Sequence, residues 1–167
     1  VELSPETGMT MQPEDHGHLI ARRANYRKDN LEAPEIMYQP ELGKYYLFTS
    51  YDPLMTTYNV RVAYSGSPEG PFVDFYGEDI KDTTNNVPIL TAPYRFENHP
   101  GWAGTAHCGL IDAGDGRYFM AHQGRLSPQN QLMDLHVREV FFTVNGWPVV
   151  SPERYAGTAP VSYTHLR

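Results

Sequence analysis

Gly43-Lys44-Tyr45-Tyr46-Leu47-Phe48 and Gly116-Arg117-Tyr118-Phe119-Met120-Ala121 are one pattern written twice. Each follows a turn signal, Glu41-Leu42-Gly43-Lys44 in the first copy and Ala113-Gly114-Asp115-Gly116 in the second, and each runs into aromatic and apolar residues suited to a buried strand. Aligned at an offset of about 75 residues, three further segments fall into step. Pro34-Glu35-Ile36-Met37-Tyr38 precedes the first copy as His107-Cys108-Gly109-Leu110-Ile111 precedes the second. Asn59-Val60-Arg61-Val62 and Gly70-Pro71-Phe72-Val73 follow the first as His136-Val137-Arg138-Glu139 and Gly146-Trp147-Pro148-Val149 follow the second. Four short strands joined by tight turns make an antiparallel up-and-down sheet, and a sheet that recurs is a propeller blade. A two-sheet sandwich is the other arrangement open to such strands, but it gives no reason for the repeat.

The remainder of the 167 residues agrees with an all-β chain. Aromatic residues make up 13%, with 12 Tyr, 14 Gly and 14 Pro, a composition of short strands separated by turns. No stretch keeps a helical apolar period over three turns, and prolines recur from Pro5 to Pro160. Hydrophobic residues at 40% against 20% charged are enough to form one core. Thirteen Lys plus Arg against 20 Asp plus Glu give a formal charge of −7, which repels phosphate backbones and anionic lipid. Neither nucleic acid nor a membrane is therefore expected as a partner, and no apolar run reaches the roughly 18 residues of a spanning helix. The single cysteine, Cys108, excludes an internal disulfide and multi-thiolate metal sites, and is expected to pack as a small hydrophobe.

Along the chain, residues 1–157 read as a partial propeller. Residues 1–25 form the edge of a preceding blade, 31–75 a first full blade, 76–100 a long loop-like connection, and 101–155 a second full blade. Residues 158–167 form a tail of no assigned role. Propellers close with about four or more blades, and two open blades leave sheet faces uncovered. The chain therefore reads as either a fragment of a larger propeller or a protomer whose ring is completed by a second chain, an N-terminal half or another copy.

Glu32 and Glu35 enter the first strand of the first blade, the strand that lines a propeller's channel. At the mouth of that strand, Glu32 is the candidate general acid, while Glu35 reads as structural. The repeat puts His107 near the same axis, where it is a candidate metal ligand. Trp102, Tyr51 and Arg61 are candidate sugar contacts, the aromatic rings for stacking and Arg61 as a scaffold or orienting cation beside its repeat partner Arg138. His136 reads as structural and His122 is open to either reading. Nucleophile elbows, phosphate loops and multi-ligand metal spacings are absent.

Three stretches resemble glycoside hydrolase family 43, specifically its endo-1,5-α-L-arabinanases. They are Leu31-Glu32-Ala33-Pro34 with Tyr45 to Asp52; Tyr58-Asn59-Val60-Arg61-Val62 with Ser65 and Gly70-Pro71-Phe72; and His136-Val137-Arg138-Glu139 with Gly146 to Tyr155. The resemblance implies a five-bladed propeller of inverting enzymes, with this chain supplying about its C-terminal half. It implies Glu32 as general acid, and an Asp base and a third, tuning Asp on blades that precede this segment. Asp15, Asp52, Asp74 and Asp134 do not sit in the motifs for those roles. His107 matches an axial histidine associated with a hydrated calcium or similar ion. The implied substrate is arabinan or an arabino-oligosaccharide, and the implied location is extracellular or periplasmic. A non-catalytic sugar-binding or scaffold propeller, and a related enzyme acting on xylan or arabinose side chains, are the alternatives.

Overall fold

A computed structural model describes residues 1–23, 31–81, 87–129 and 131–157. The first sheet holds β1 (Leu31–Gln39), β2 (Lys44–Tyr51), β3 (Asn59–Ser65) and β4 (Ile89–Thr91), in that order and antiparallel throughout. The second holds β5 (Trp102–Ala103), β6 (Gly109–Asp112), β7 (Tyr118–Leu126), β8 (Asp134–Phe142) and β9 (Pro148–Val150). Its order is β5–β7–β8–β9, with β6 pairing the other half of β7. No helix occurs among the described residues. The β1–β2 turn closes as the sequence requires: Gly43 takes a φ of 61°, and its N–H bonds to Pro40 O.

The main core lies where the two sheets meet. Met37, Tyr46, Phe48, Tyr58, Val60 and Val62 of the first pack with Ala106, Cys108, Tyr118, Met120 and Val140 of the second. Strand alternation explains the partition, because Tyr46 and Phe48 point to the neighbouring sheet while Leu47 points to the opposite face. There Leu47 and Ala63 meet Phe72, Ile80 and Val87, so the first sheet is covered on both sides and β2 is apolar over most of its length. The Tyr46 hydroxyl reaches Gly146 O in the β8–β9 turn, tying the sheets at the end away from Glu32.

Two boundaries differ from those read in the sequence. The fourth position of the first sheet is shared: Val73 makes an isolated bridge to Tyr64, while Ile89–Thr91, within the stretch read as a connection, pairs Val60 and Arg61. Pro71 has no N–H to give a ladder, so the 70–73 segment pairs only at Val73. In the second sheet the first strand starts at Gly109 rather than His107, and β5 takes the remaining edge of β7. Left-handed backbone at Gly104 and His107, with φ of 59° and 58°, interrupts what would otherwise be one strand. The tail at 158–167 and residues 24–25 of the leading edge lie outside the described residues.

Candidate active site

Glu32 stands at the start of β1, opposite Ser50. From Glu32 to Glu35 the chain takes three steps while β2 takes two, from Ser50 to Phe48, which is a one-residue bulge. Pro34 cannot donate, and the bulge leaves it out of the ladder, with Ala33 at a φ of 47°. The Glu32 side chain is exposed and lines a cleft of about 280 Å³ between residues 18–21 and the β1–β2 hairpin. Its Oε2 accepts a hydrogen bond from the Tyr58 hydroxyl at 2.9 Å, and its other oxygen has no partner among the described residues. Tyr58 is fully buried in the core between the sheets, with its N–H bonded to Pro53 O at 3.0 Å. Burial first, then the bond to Glu32, push its phenol up to about 12, so it remains an O–H donor at any working pH.

His107 arrives at the same end of the sheets. Its N–H donates to Ser50 Oγ at 2.9 Å, so the residue opposite Glu32 also anchors the loop that carries His107. Thr91 Oγ1 donates to Thr105 O at 2.6 Å, and Ala106 and Cys108 are buried on either side. Cys108 is inert packing, its thiol pushed up to about 12 chiefly by burial. The imidazole of His107 is exposed. Gly104 sets the path of this loop: its N–H bonds to Thr56 O at 3.2 Å, and a Cβ there would stand 2.6 Å from Leu54 O. Gly104→Ala combines that clash with a strained φ and is expected to lower stability by about 1–3 kcal/mol, read from a urea unfolding midpoint. An unchanged midpoint would show that the loop is free to move.

The axial ion implied by the resemblance finds little here to hold it. Calcium takes six to eight oxygen ligands. His107 offers one nitrogen, and among the described residues no group of three or more His, Cys, Asp or Glu is placed so that it could hold a metal ion. The residues present do not by themselves fit such an ion, and no chemistry is assigned to it.

Tyr51 and Arg61, the candidate sugar contacts, are placed inside the fold, at 2% and 7% exposure. The Arg61 guanidinium lies 4.5 Å from the Tyr51 ring centroid and bonds to Asn59 Oδ1, Val87 O and Asp52 Oδ2. Arg23 joins the same Asp52 at 2.5 Å. Burial alone would raise the Asp52 carboxyl, but hydrogen bonds from Arg23 and Asn59 and the charges of Arg23 and Arg61 outweigh it and hold Asp52 below its ordinary value. The set is a largely buried ionic brace. The repeat anticipated a shared role for the paired arginines, and Arg138 likewise lies over a ring, that of Tyr94, at 4.7 Å.

Trp102 is half-buried on β5 and lines a second cleft of about 580 Å³ with Tyr94, Phe96, His99 and Arg154. Arg154 lies 5.2 Å from its ring and His136 meets it edge to face at 4.5 Å. The clefts lined by Glu32 and Trp102 share no residue. The structure thus joins Glu32 with His107 through Ser50, and puts Tyr51, Arg61 and Trp102 elsewhere. The contact that the sequence left unread is that between Tyr58 and Glu32: Tyr58 opens one of the stretches that resemble the family, but it lies 26 residues from Glu32 and nothing in the pattern pairs the two.

No family model matches the chain. It is 28% identical to the extracellular endo-α-(1→5)-L-arabinanase 2 of Bacillus subtilis, over 94% of its own length and 37% of that protein's. The extracellular endo-α-(1→5)-L-arabinanase of Thermotoga petrophila is 26% identical over the same share of the chain and 36% of its own length. Among solved structures, a glycoside hydrolase family 43 protein from Bacillus licheniformis superposes with a TM-score of 0.82 at 27% identity, covering 93% of this chain and 38% of that one. The Thermotoga petrophila endo-1,5-α-L-arabinanase gives the same TM-score, identity and coverage. The chain therefore spans rather more than a third of the proteins it matches, and its two sheets have the fold of blades in their five-bladed propeller.

Proposed function

We propose that this chain is the acid-bearing part of an extracellular glycosidase that cleaves α-1,5-linked L-arabinan with inversion. The observation that carries the reading is Glu32: within a chain similar to endo-arabinanases over 94% of its length, it is an exposed carboxyl on the wall of a cleft, with one oxygen tied to Tyr58 and the other without a partner among the described residues. Protonated, it would deliver its proton to the glycosidic oxygen as the bond to the anomeric carbon breaks. A second carboxylate would draw a proton from water on the opposite face of the sugar, at a separation of about 6.5–9.5 Å from the acid. Asp52 is unsuited to that part, since both its oxygens are committed to Arg23, Arg61 and Asn59. The base, and the blades that close the ring, are assigned to residues outside this chain, as are any oxygen ligands of an axial ion beside His107.

The completed ring is expected to release oligosaccharides from linear α-1,5-arabinan, and proton NMR during the first turnovers should show the β-anomer forming first. The α-anomer first would mean retention and a nucleophile in place of the base. Binding of arabinan with no product would leave a sugar-binding module.

A further inference from the structure

The Tyr58 hydroxyl is the single described group bonded to Glu32, and it comes from the centre of the core rather than from the rim of the cleft. Its ring is fully buried among side chains from both sheets, and its backbone is fixed to Pro53, so the hydroxyl cannot follow a moving carboxyl. Glu32, by contrast, is exposed and sits beside a backbone bulge. An exposed glutamate has several rotamers, and one rigid donor selects among them. We propose that Tyr58 is a positioning residue for the acid: its O–H holds Glu32 Oε2 so that the other oxygen carries the transferable proton into the cleft. The same bond strengthens when Glu32 gives up that proton, because the acceptor becomes an anion in the transition state. The inference rests on Glu32 being the acid. A tyrosine that merely satisfied its buried hydroxyl on the nearest carboxylate would show the same distance, so the test must read the chemistry of proton delivery.

Tyr58→Phe in the complete enzyme is expected to lower kcat on arabinan about tenfold with KM little changed. The basic limb of its pH–rate profile should move to higher pH, since removing a donor to a carboxylate disfavours the charged form. An aryl arabino-oligoside with an acidic phenol as leaving group, which needs little protonation, should lose much less. In a Glu32→Gln background the same substitution should cost nothing further, because Tyr58 acts through the carboxyl that is gone. Equal losses on both substrates, an unmoved basic limb, or a full additional loss in the Glu32→Gln background would overturn the proposal and leave Tyr58 a packing residue. If Tyr58→Phe does not fold, 3-fluorotyrosine at position 58 keeps the shape and donates more strongly, and the basic limb must then move to lower pH. Should Glu32→Gln alone retain activity, the acid assignment fails first, a result distinct from any of these.

Discussion

Glu32→Gln in the complete enzyme should lower the hydrolysis of linear arabinan by about 10²–10⁴-fold, the usual contribution of a positioned proton donor. The amide keeps the volume of the acid and can still accept the Tyr58 bond through its carbonyl oxygen, so neither the core nor the bulge at Ala33 and Pro34 should be disturbed. Glu32 is exposed and outside the ionic brace around Asp52, and its replacement should leave the thermal midpoint within about 2 °C. The loss should fall on kcat and on kcat/KM alike, because the interaction removed exists only as the leaving oxygen takes the proton. An aryl substrate whose phenol leaves without help should recover most of the rate. Near-normal hydrolysis of arabinan by Glu32→Gln would end the assignment, and the exposed carboxyl would then be a solvated loop residue.

How much of this was legible in the sequence depends on the length of the element. The strands that repeat at an offset of about 75 residues are long enough to show a pattern, and β1 to β3, β6 and β8 fall within about three residues of where the repeat puts them, while β7 runs on to Leu126, past the end of its repeat segment. Ile89–Thr91 is three residues long and has no period to read. It is recruited by tertiary contacts, with Thr91 Oγ1 accepting from Val60 N and donating to Thr105 O. Glu32 lies at the start of the first strand, where the sequence puts it, and its proposed role as the acid is read from that place and from the family resemblance. Tyr51 and Arg61 misled for a physical reason: both residue types have an apolar body and a polar tip and suit either a sugar or a core. Which of the two they meet is decided by Asp52 and Arg23, and no local pattern brings Arg23 beside Asp52. The position of Arg61 between Val60 and Val62 in a strand buried on both faces was the one available hint.

Two buried histidines, one that reads as structural in the sequence and one left open there, lead to the second large effect, which is on stability. His122 and His136 are 2% and 0% exposed, their rings 5.2 Å apart and tilted, with Trp102 edge-on to His136. His122 Nδ1 lies 2.7 Å from Gln123 O, a carbonyl that can only accept, so the proton is on Nδ1 and Nε2 is bare. That Nε2 and both nitrogens of His136 have no partner among the described residues. The pocket is tight: a Cβ on Gly124 would stand 2.5 Å from His136 Nε2. Burial is the main cause that pushes both histidines down to about 4, opposed at His122 by the Gln123 carbonyl and reinforced at His136 by His122, Arg154 and Arg138. Both are therefore neutral when folded at neutral pH and take up protons near the ordinary 6.5 when unfolded. Their stabilising contribution is complete above about pH 6.5, falls as the pH drops, and is gone below about 4. In that window stability should fall by up to about 1.4 kcal/mol per pH unit for each proton, and by several kcal/mol in all. Asp52, with its lowered carboxyl, acts with the same sign but only below about pH 4, so it does not cloud the window. Urea midpoints measured from pH 7.5 to 4.5 should show a slope approaching two protons, and His136→Gln should reduce it towards one. A flat curve between pH 6.5 and 4.5 would mean that the imidazoles find proton acceptors on charging, and the paired-histidine account would fall.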